Sequence, residues 1–462
     1  MKKSTISLAV TLLLVASFAL SGCGSGNGSS SPAATQGNSG TNESASTNNK
    51  ASTGVVTIRT TMPPGELSED QIKEFESENP NINVELIPAD ETKLMAMIAA
   101  GTAPDVIRIS GVQELPTYVT RGLALNLDPY FMKSKLIKQD DLLPVANIFK
   151  FNGSWYGLLK DWSPDQTLYI NKKIFEAAGV PIPDPKTPLT YSELLVMTQK
   201  LTKIENGKVI IEGMDGDDLF SMTNVQMQLQ QLGKSLWSSD MKKANINNDD
   251  VNNVLNRINQ FVQAKAVYSP INPAPNWTGG TFIDGQLAIA QFGYWYTGIL
   301  RSDPKTKDRL DEYMLLPAPV VDGGTRYSPV TGGTGAIILK QSKHPEEAFK
   351  FLEWYMAGKP ADDRAKSGWG VPIFKSKLSL MPQQTNFDKQ SYEVLNDEIQ
   401  NGQTDNVLQF NPYLNASAVN GLIDKLITPI YFGKDTPEKA LPELEKQIQA
   451  LIDEGMDIAG VQ

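Results

Sequence analysis

Three short strand-like runs separated by two helical ones open the folded part of this 462-residue chain. Val55-Val56-Thr57-Ile58-Arg59-Thr60 is rich in β-branched residues and bounded by Gly54 and Pro63, which predicts a first strand. Leu67 to Ile72 opens a helix: Ser68 and Gln71 have capping-box spacing, and Leu67 can staple onto Ile72. Asn81 to Leu86 alternates and predicts a second strand. Lys93 to Ala100 reads as a helix ended by Gly101, and Asp105-Val106-Ile107 as a third, short apolar strand. Parallel neighbours need a connection long enough to hold a helix, so this alternation calls for a parallel sheet with helical crossovers.

The pattern resumes downstream. Leu168-Tyr169-Ile170 predicts a strand, and Lys172 to Ala178 a helix ended by Gly179. Thr190 and Glu193 form a second capping box before Leu194, Leu195 and Leu201. Residues 249–264 place Val251, Val254, Leu255, Ile258, Phe261 and Val262 on one helical face. Residues 335–339 predict a strand followed by a helix over 345–356, and Thr436-Pro437-Glu438 opens a last helix. The fold class is α/β, with enough chain after Gly54 for two lobes.

Composition narrows the chemistry. Hydrophobic residues make up 40% and charged residues 20%, as in a well-folded globule, and the net charge of −10 argues against nucleic acid and against anionic lipid surfaces. The only histidine, His344, precedes Pro345-Glu346-Glu347, so it marks a helix start and not a catalytic site. With one histidine and one cysteine, no Cys-His metal cluster can be assembled, and no phosphate-binding loop of Walker spacing occurs. No cofactor or metal is expected. Scattered carboxylates leave an acid/base enzyme formally open without singling out a pair.

The N-terminus reads as an address. Lys2 and Lys3 precede an apolar run of 15 residues, Ile6 to Leu20, too short for a comfortable membrane span. Leu20-Ser21-Gly22-Cys23 then resembles the lipobox of bacterial lipoproteins, which implies a signal peptide over 1–22 and lipidation of Cys23. Residues 24–54 are mostly Gly, Ser, Asn, Thr and Ala, with Glu43 and Lys50 the only charges, a flexible tether with a reach of roughly 30 Å. Two acyl signals on Cys23 would moor the chain stably to the outer face of the cytoplasmic membrane.

Several strings then point one way. Phe75-Glu76-Ser77-Glu78-Asn79-Pro80-Asn81-Ile82-Asn83-Val84, residues 98–106 (Ile-Ala-Ala-Gly-Thr-Ala-Pro-Asp-Val), Tyr156-Gly157-Leu158, residues 168–180 and residues 342–348 resemble extracellular solute-binding proteins of ABC importers, carbohydrate type. Their order holds across about residues 55 to 455. Ile170 departs from the family, which often has a second tyrosine there. The resemblance implies a periplasmic-binding-protein-like type II fold of two α/β lobes with several crossovers, near residues 160, 316 and 368. Lobe one would comprise 55–160 plus 316–368, and lobe two 161–315 plus 369–462.

It also implies an interlobe cleft that closes on a sugar or oligosaccharide and presents it to membrane permease subunits, with the protein a monomer and not an enzyme. Sugars offer flat C–H faces and hydroxyls, which suit aromatic stacking and planar polar side chains. The candidates are Trp295 in Gly293-Tyr294-Trp295-Tyr296; Asp161 and Trp162 at the first crossover; Arg108 and Ser110 after the third strand; Gly332 and Gly333; Trp369, Phe410 and Tyr413; and Glu66. Trp155 and Trp354 read as core, while Trp237 and Trp277 stay undecided. A polyol or sugar phosphate, a secreted carbohydrate-active enzyme, and a ligand-presenting partner of a sensor kinase remain the rivals.

Overall fold

The computed structural model describes residues 54–461 apart from Ala89, Asp217, residues 403–407 and Gln409. The signal peptide, Cys23 and the tether as far as Thr53 lie outside the described residues. Among the described residues no helix is long and apolar enough to cross a membrane.

The opening alternation folds as the sequence predicts. Strand β1 (Val56–Thr60) pairs in parallel with β2 (Ile82–Leu86) and with β3 (Val106–Ser110). Both halves of the capping box at Ser68 and Gln71 form at the head of helix Glu69–Glu78. The next helix starts at Glu91, two residues before the expected Lys93, because the Asp90 side chain caps it by accepting the Lys93 N–H at 2.7 Å. β3 also runs three residues past Ile107. The sequence around it is silent on this, since the extension is imposed by a distant strand.

Further strands are β4 (Lys150–Phe151) and β5 (Ser154–Trp155), a two-stranded hairpin, then β6 (Gly157–Leu159) and β7 (Leu168–Asn171). They are followed by β8 (Lys203–Glu205), β9 (Lys208–Met214), β10 (Leu287–Gln291), β11 (Tyr313–Leu316) and β12 (Thr334–Ile338). Two five-stranded sheets result, ordered β2-β1-β3-β12-β6 and β11-β7-β10-β9-β8. In the first, β12 runs antiparallel to β3 and β6, with Thr334 opposite Ser110 and Ile338 opposite Val106, and this pairing extends β3. In the second, β7 is the reversed strand between β10 and β11.

Each reversed strand enters its sheet directly from the other one. The chain leaves the first sheet after β6 and enters the second at β7, then leaves after β11 and returns at β12. A third passage lies between Phe374, bridged to Leu142, and helix Asn386–Asn401, whose Gln390 donates to the Leu315 carbonyl at 2.7 Å and accepts its N–H at 3.0 Å. The passages are stitched together: Trp162 N–H donates to the Val371 carbonyl at 3.1 Å, and Val371 N–H returns the bond at 2.8 Å.

Burial follows the periodicities. Along β7, Leu168 and Ile170 enter one core and Tyr169 the other, so Ile170 serves as a strand residue packed on apolar neighbours. Helix Asp249–Gln263 buries the six apolar residues expected of its inner face. Each such side chain stabilises the fold by about 1.5–3 kcal/mol when removed from water. Trp155 and Trp354 are core, Trp354 stacking on Phe351 at 6.5 Å between centroids. His344 is the N-cap of helix Pro345–Ala357, with Pro345 in the first turn.

Candidate ligand-binding cleft

Two parallel strands of the second sheet and one of the first release the chain at the same cavity. Beyond β3 comes Gln113, beyond β9 Asp218, beyond β10 Phe292, Gly293 and Trp295. The reversed strands contribute from their starts: Asp165 precedes β7, and Thr331 and Gly332 precede β12. The cavity measures about 410 Å³, within the usual range for small-molecule sites. Ligands of open α/β sheets sit outside such strand ends, where loops converge.

One wall is aromatic. Trp237, Phe292, Trp295 and Phe410 line it. Trp295 lies between two further indoles: Trp277 nearly parallel at 6.5 Å and 18°, and Trp369 tilted by 40° at 6.3 Å. Phe292 leans on Trp295 at 5.3 Å. Gly293 is required here, since a Cβ would come within 2.2 Å of Ser163 Oγ and 2.5 Å of Asp165 Oδ1. The Trp237 indole N–H is buried and finds no hydrogen-bond acceptor among the described residues.

The rest of the lining mixes apolar Met222, Leu414, Ala416 and Val419 with polar side chains. Among the described residues it holds two carboxylates, Asp165 and Asp218, with Gln113, Thr223, Gln226 and Asn411, and no lysine or arginine. Asp165 Oδ2 accepts the N–H groups of Thr331 and Gly332, both at 2.9 Å, and its Oδ1 accepts Ser163 Oγ at 2.8 Å. Burial raises its pKa above the ordinary aspartate value, against the pull of these donors. Gln113, on the helix following β3, donates to Thr223 Oγ1 at 3.4 Å, a direct contact between the helices of the two sheets.

A sequence model of the bacterial extracellular solute-binding proteins matches residues 61–357. This chain belongs to that family. The solute-binding protein is 24% identical over 415 residues to an arabinooligosaccharide-binding protein of Halalkalibacterium halodurans, covering 83% of this chain and 86% of the other. Its fold matches an ABC substrate-binding protein of Listeria monocytogenes in complex with cycloalternan (TM-score 0.70, 23% identity, 88% of this chain and 99% of that one). It also matches a solute-binding protein of Thermotoga lettingae bound with α-D-tagatose (TM-score 0.71, 18% identity, 86% and 100%). These likenesses establish the two-lobed type II periplasmic-binding-protein-like fold.

Within this solute-binding protein, Trp295, Gly332 and Phe410 lie on the cavity. Trp369 and Glu66 border a neighbouring hollow of about 340 Å³, together with Lys160 and Arg364, and Trp369 joins the two through its contact with Trp295. Arg108 pairs with Glu66 at 2.9 Å, and Lys160 reaches the same carboxylate at 2.9 Å. Burial alone would raise the Glu66 pKa, but the two cations together hold it below the ordinary value. Asp161 is buried 3.5 Å from Lys160; burial raises its pKa despite that cation and Arg364.

Other candidates sit in supporting positions. Trp162 is buried in the passage, its indole N–H donating to the Pro372 carbonyl at 3.4 Å. Ser110 N–H donates to Glu114 Oε2 at 2.6 Å. Gly333, at φ +60°, backs onto Ile148, which an added Cβ would approach to 2.6 Å. Tyr413 packs on the second core. Sequence reasoning did not single out Asp165, Asp218, Gln113 or Trp237 as lining residues. For Asp218 and Gln113 a signal existed, since each follows the C-terminal end of a strand.

Proposed function

We propose that this protein captures a neutral oligosaccharide in the interlobe cavity and delivers it, unchanged, to the permease of an ABC importer. Trp295 carries the reading: an indole on the cavity wall, flanked by Trp277 and Trp369, offers a stacking platform for sugar C–H faces. The polar part of the described lining, carboxylates, amides and hydroxyls with no lysine or arginine among them, suits hydroxyl groups and disfavours a sugar phosphate. The relative from Halalkalibacterium halodurans, described as binding arabino-oligosaccharides, supports a pentose oligomer as the first ligand to try.

Anchoring through a lipid on Cys23, at the outer face of the cytoplasmic membrane, belongs to the same proposal, as does a monomeric state. The lobe limits proposed are 55–160 with 316–368 and 161–315 with 369–462. Strand membership supports the first boundary; Leu316 within β11 and Val321 in the second core favour a second one between Val321 and Thr334, and the bridge of Phe374 to Leu142 a later third one.

Isothermal titration with arabinotriose, xylotriose and mannotriose tests the ligand class. Submicromolar binding of one of them, with the sugar recovered intact, is the expected result. Hydrolysis of the sugar would instead favour a secreted carbohydrate-active enzyme. Cys23→Ser should release the protein from membranes into the medium, and retention there would remove the lipid anchor from the proposal.

A further inference from the structure

Four side chains lead from the outer helix of the second lobe to the cavity through hydrogen bonds of one polarity. Arg257 Nη1 donates to Gln228 Oε1 at 2.6 Å, and Gln228 Nε2 donates to Asn224 Oδ1 at 2.6 Å. Asn224 Nδ2 donates to Gln166 Oε1 at 3.3 Å, and Gln166 Nε2 donates to Asp218 Oδ2 at 3.4 Å. The three amides are buried, with exposures of 1% for Gln166 and 0% for Asn224 and Gln228.

The two ends dictate the direction. A guanidinium can only donate, so Gln228 must turn its carbonyl toward Arg257. An ionised carboxylate can only accept, so Gln166 must turn its amino group toward Asp218. Asn224 is then fixed between them, because flipping any one amide would set donor against donor among buried groups. Dipoles aligned from cation to anion polarise one another in the same sense. Gln166 is held further by its backbone carbonyl, which accepts Gln291 Nε2 at 3.2 Å. Asp218 lines the cavity, while Asn224, Gln228 and Arg257 do not.

We propose that Gln166, Asn224, Gln228 and Arg257 are positioning residues that fix the orientation of Asp218 as a ligand-binding carboxylate, so that sugar affinity depends on Arg257. This rests on the cavity being the sugar site.

The test is a double-mutant cycle read by isothermal titration with arabinotriose, xylotriose and mannotriose, with thermal stability followed in parallel. Asp218→Asn should weaken binding by about 10-fold to 100-fold, as for a lost hydrogen bond to a charge. Arg257→Met and Gln228→Met should each weaken it by about 3-fold to 10-fold, and Arg257→Lys should recover most of that loss. Combined with Asp218→Asn, Arg257→Met should cost nothing further, because its effect passes through Asp218. Should Gln228→Met fail to fold, the Arg257 variants, at the partly exposed end, carry the same test. Wild-type affinity in Arg257→Met, or a loss fully additive with that of Asp218→Asn, overturns the relay. A wild-type protein that binds none of the three sugars overturns the cleft reading first, and the relay with it.

Discussion

The Asp165 carboxylate accepts the Gly332 N–H at 2.9 Å, so one side chain in the first passage between the lobes holds the backbone of the second. The same oxygen takes the Thr331 N–H. Asp165→Ala would leave both donors unmet in a buried setting, at about 1–3 kcal/mol for each group. Asp165→Asn keeps an oxygen for the two N–H groups and turns its amino group toward Ser163 Oγ, which can accept. Chemical denaturation should therefore show the alanine variant destabilised and the asparagine variant within about 1 kcal/mol of wild type. Equal destabilisation of the two would mean that charge, not acceptor geometry, is what Asp165 supplies.

Trp295 contacts both neighbouring indoles and the cavity. Replacing it with alanine removes the stacking face and should weaken sugar binding by about 2 kcal/mol, roughly 30-fold. Phenylalanine keeps a smaller face and should lose less. Because Trp277 and Trp369 report on the same spot, sugar should change the intrinsic fluorescence of wild type more than that of Trp295→Phe. Unaltered affinity in the alanine variant would remove Trp295 from the site.

The Gln113–Thr223 hydrogen bond, 3.4 Å long, joins the helix after β3 to the helix after β9. A bond available only when the lobes approach favours the closed state by its own free energy, about 0.5–1.5 kcal/mol. Gln113→Ala should raise the sugar dissociation rate by about 2-fold to 10-fold in stopped-flow fluorescence and leave thermal stability without sugar near wild type. A dissociation rate equal to wild type would show that the contact does no work in closure.

What the sequence disclosed, and what it withheld, divides by range. The capping boxes at Ser68/Gln71 and Thr190/Glu193 both form, because all their partners lie within one helical turn. The buried face of helix Asp249–Gln263 was equally legible, since 3.6-residue periodicity is a local property. The end of β3 was not, because Arg108 to Ser110 become strand only through pairing with Thr334 to Ala336. The site divides the same way. A local string pointed to Trp295, whereas Asp165 matters through Thr331 and Gly332, and Asp218 through Gln166. Nothing near those aspartates in the chain announces such partners. Asp161, four residues before Asp165 in the same passage, offered an equally plausible carboxylate, and only three-dimensional convergence separates an ion pair with Lys160 from a place on the cavity wall.

Glu212 gives a pH dependence unconnected with the cavity. It lies fully buried in β9, accepting Asn272 Nδ2 at 2.6 Å and the Gly213 N–H at 3.3 Å, and burial raises its pKa from 4.5 to about 7. The folded state therefore holds this proton more tightly than the unfolded chain. Its contribution to stability is complete below pH 4.5 and is lost as the pH rises toward about 7. The loss amounts to at most roughly 3 kcal/mol. Glu212→Gln has no proton to lose, keeps an oxygen for Gly213, and meets Asn272 by a turn of that amide. Measured against wild type, the variant should gain stability between pH 5 and pH 8, most of it before pH 7. A stability difference constant across that range would show that Glu212 ionises in the fold as it does in water.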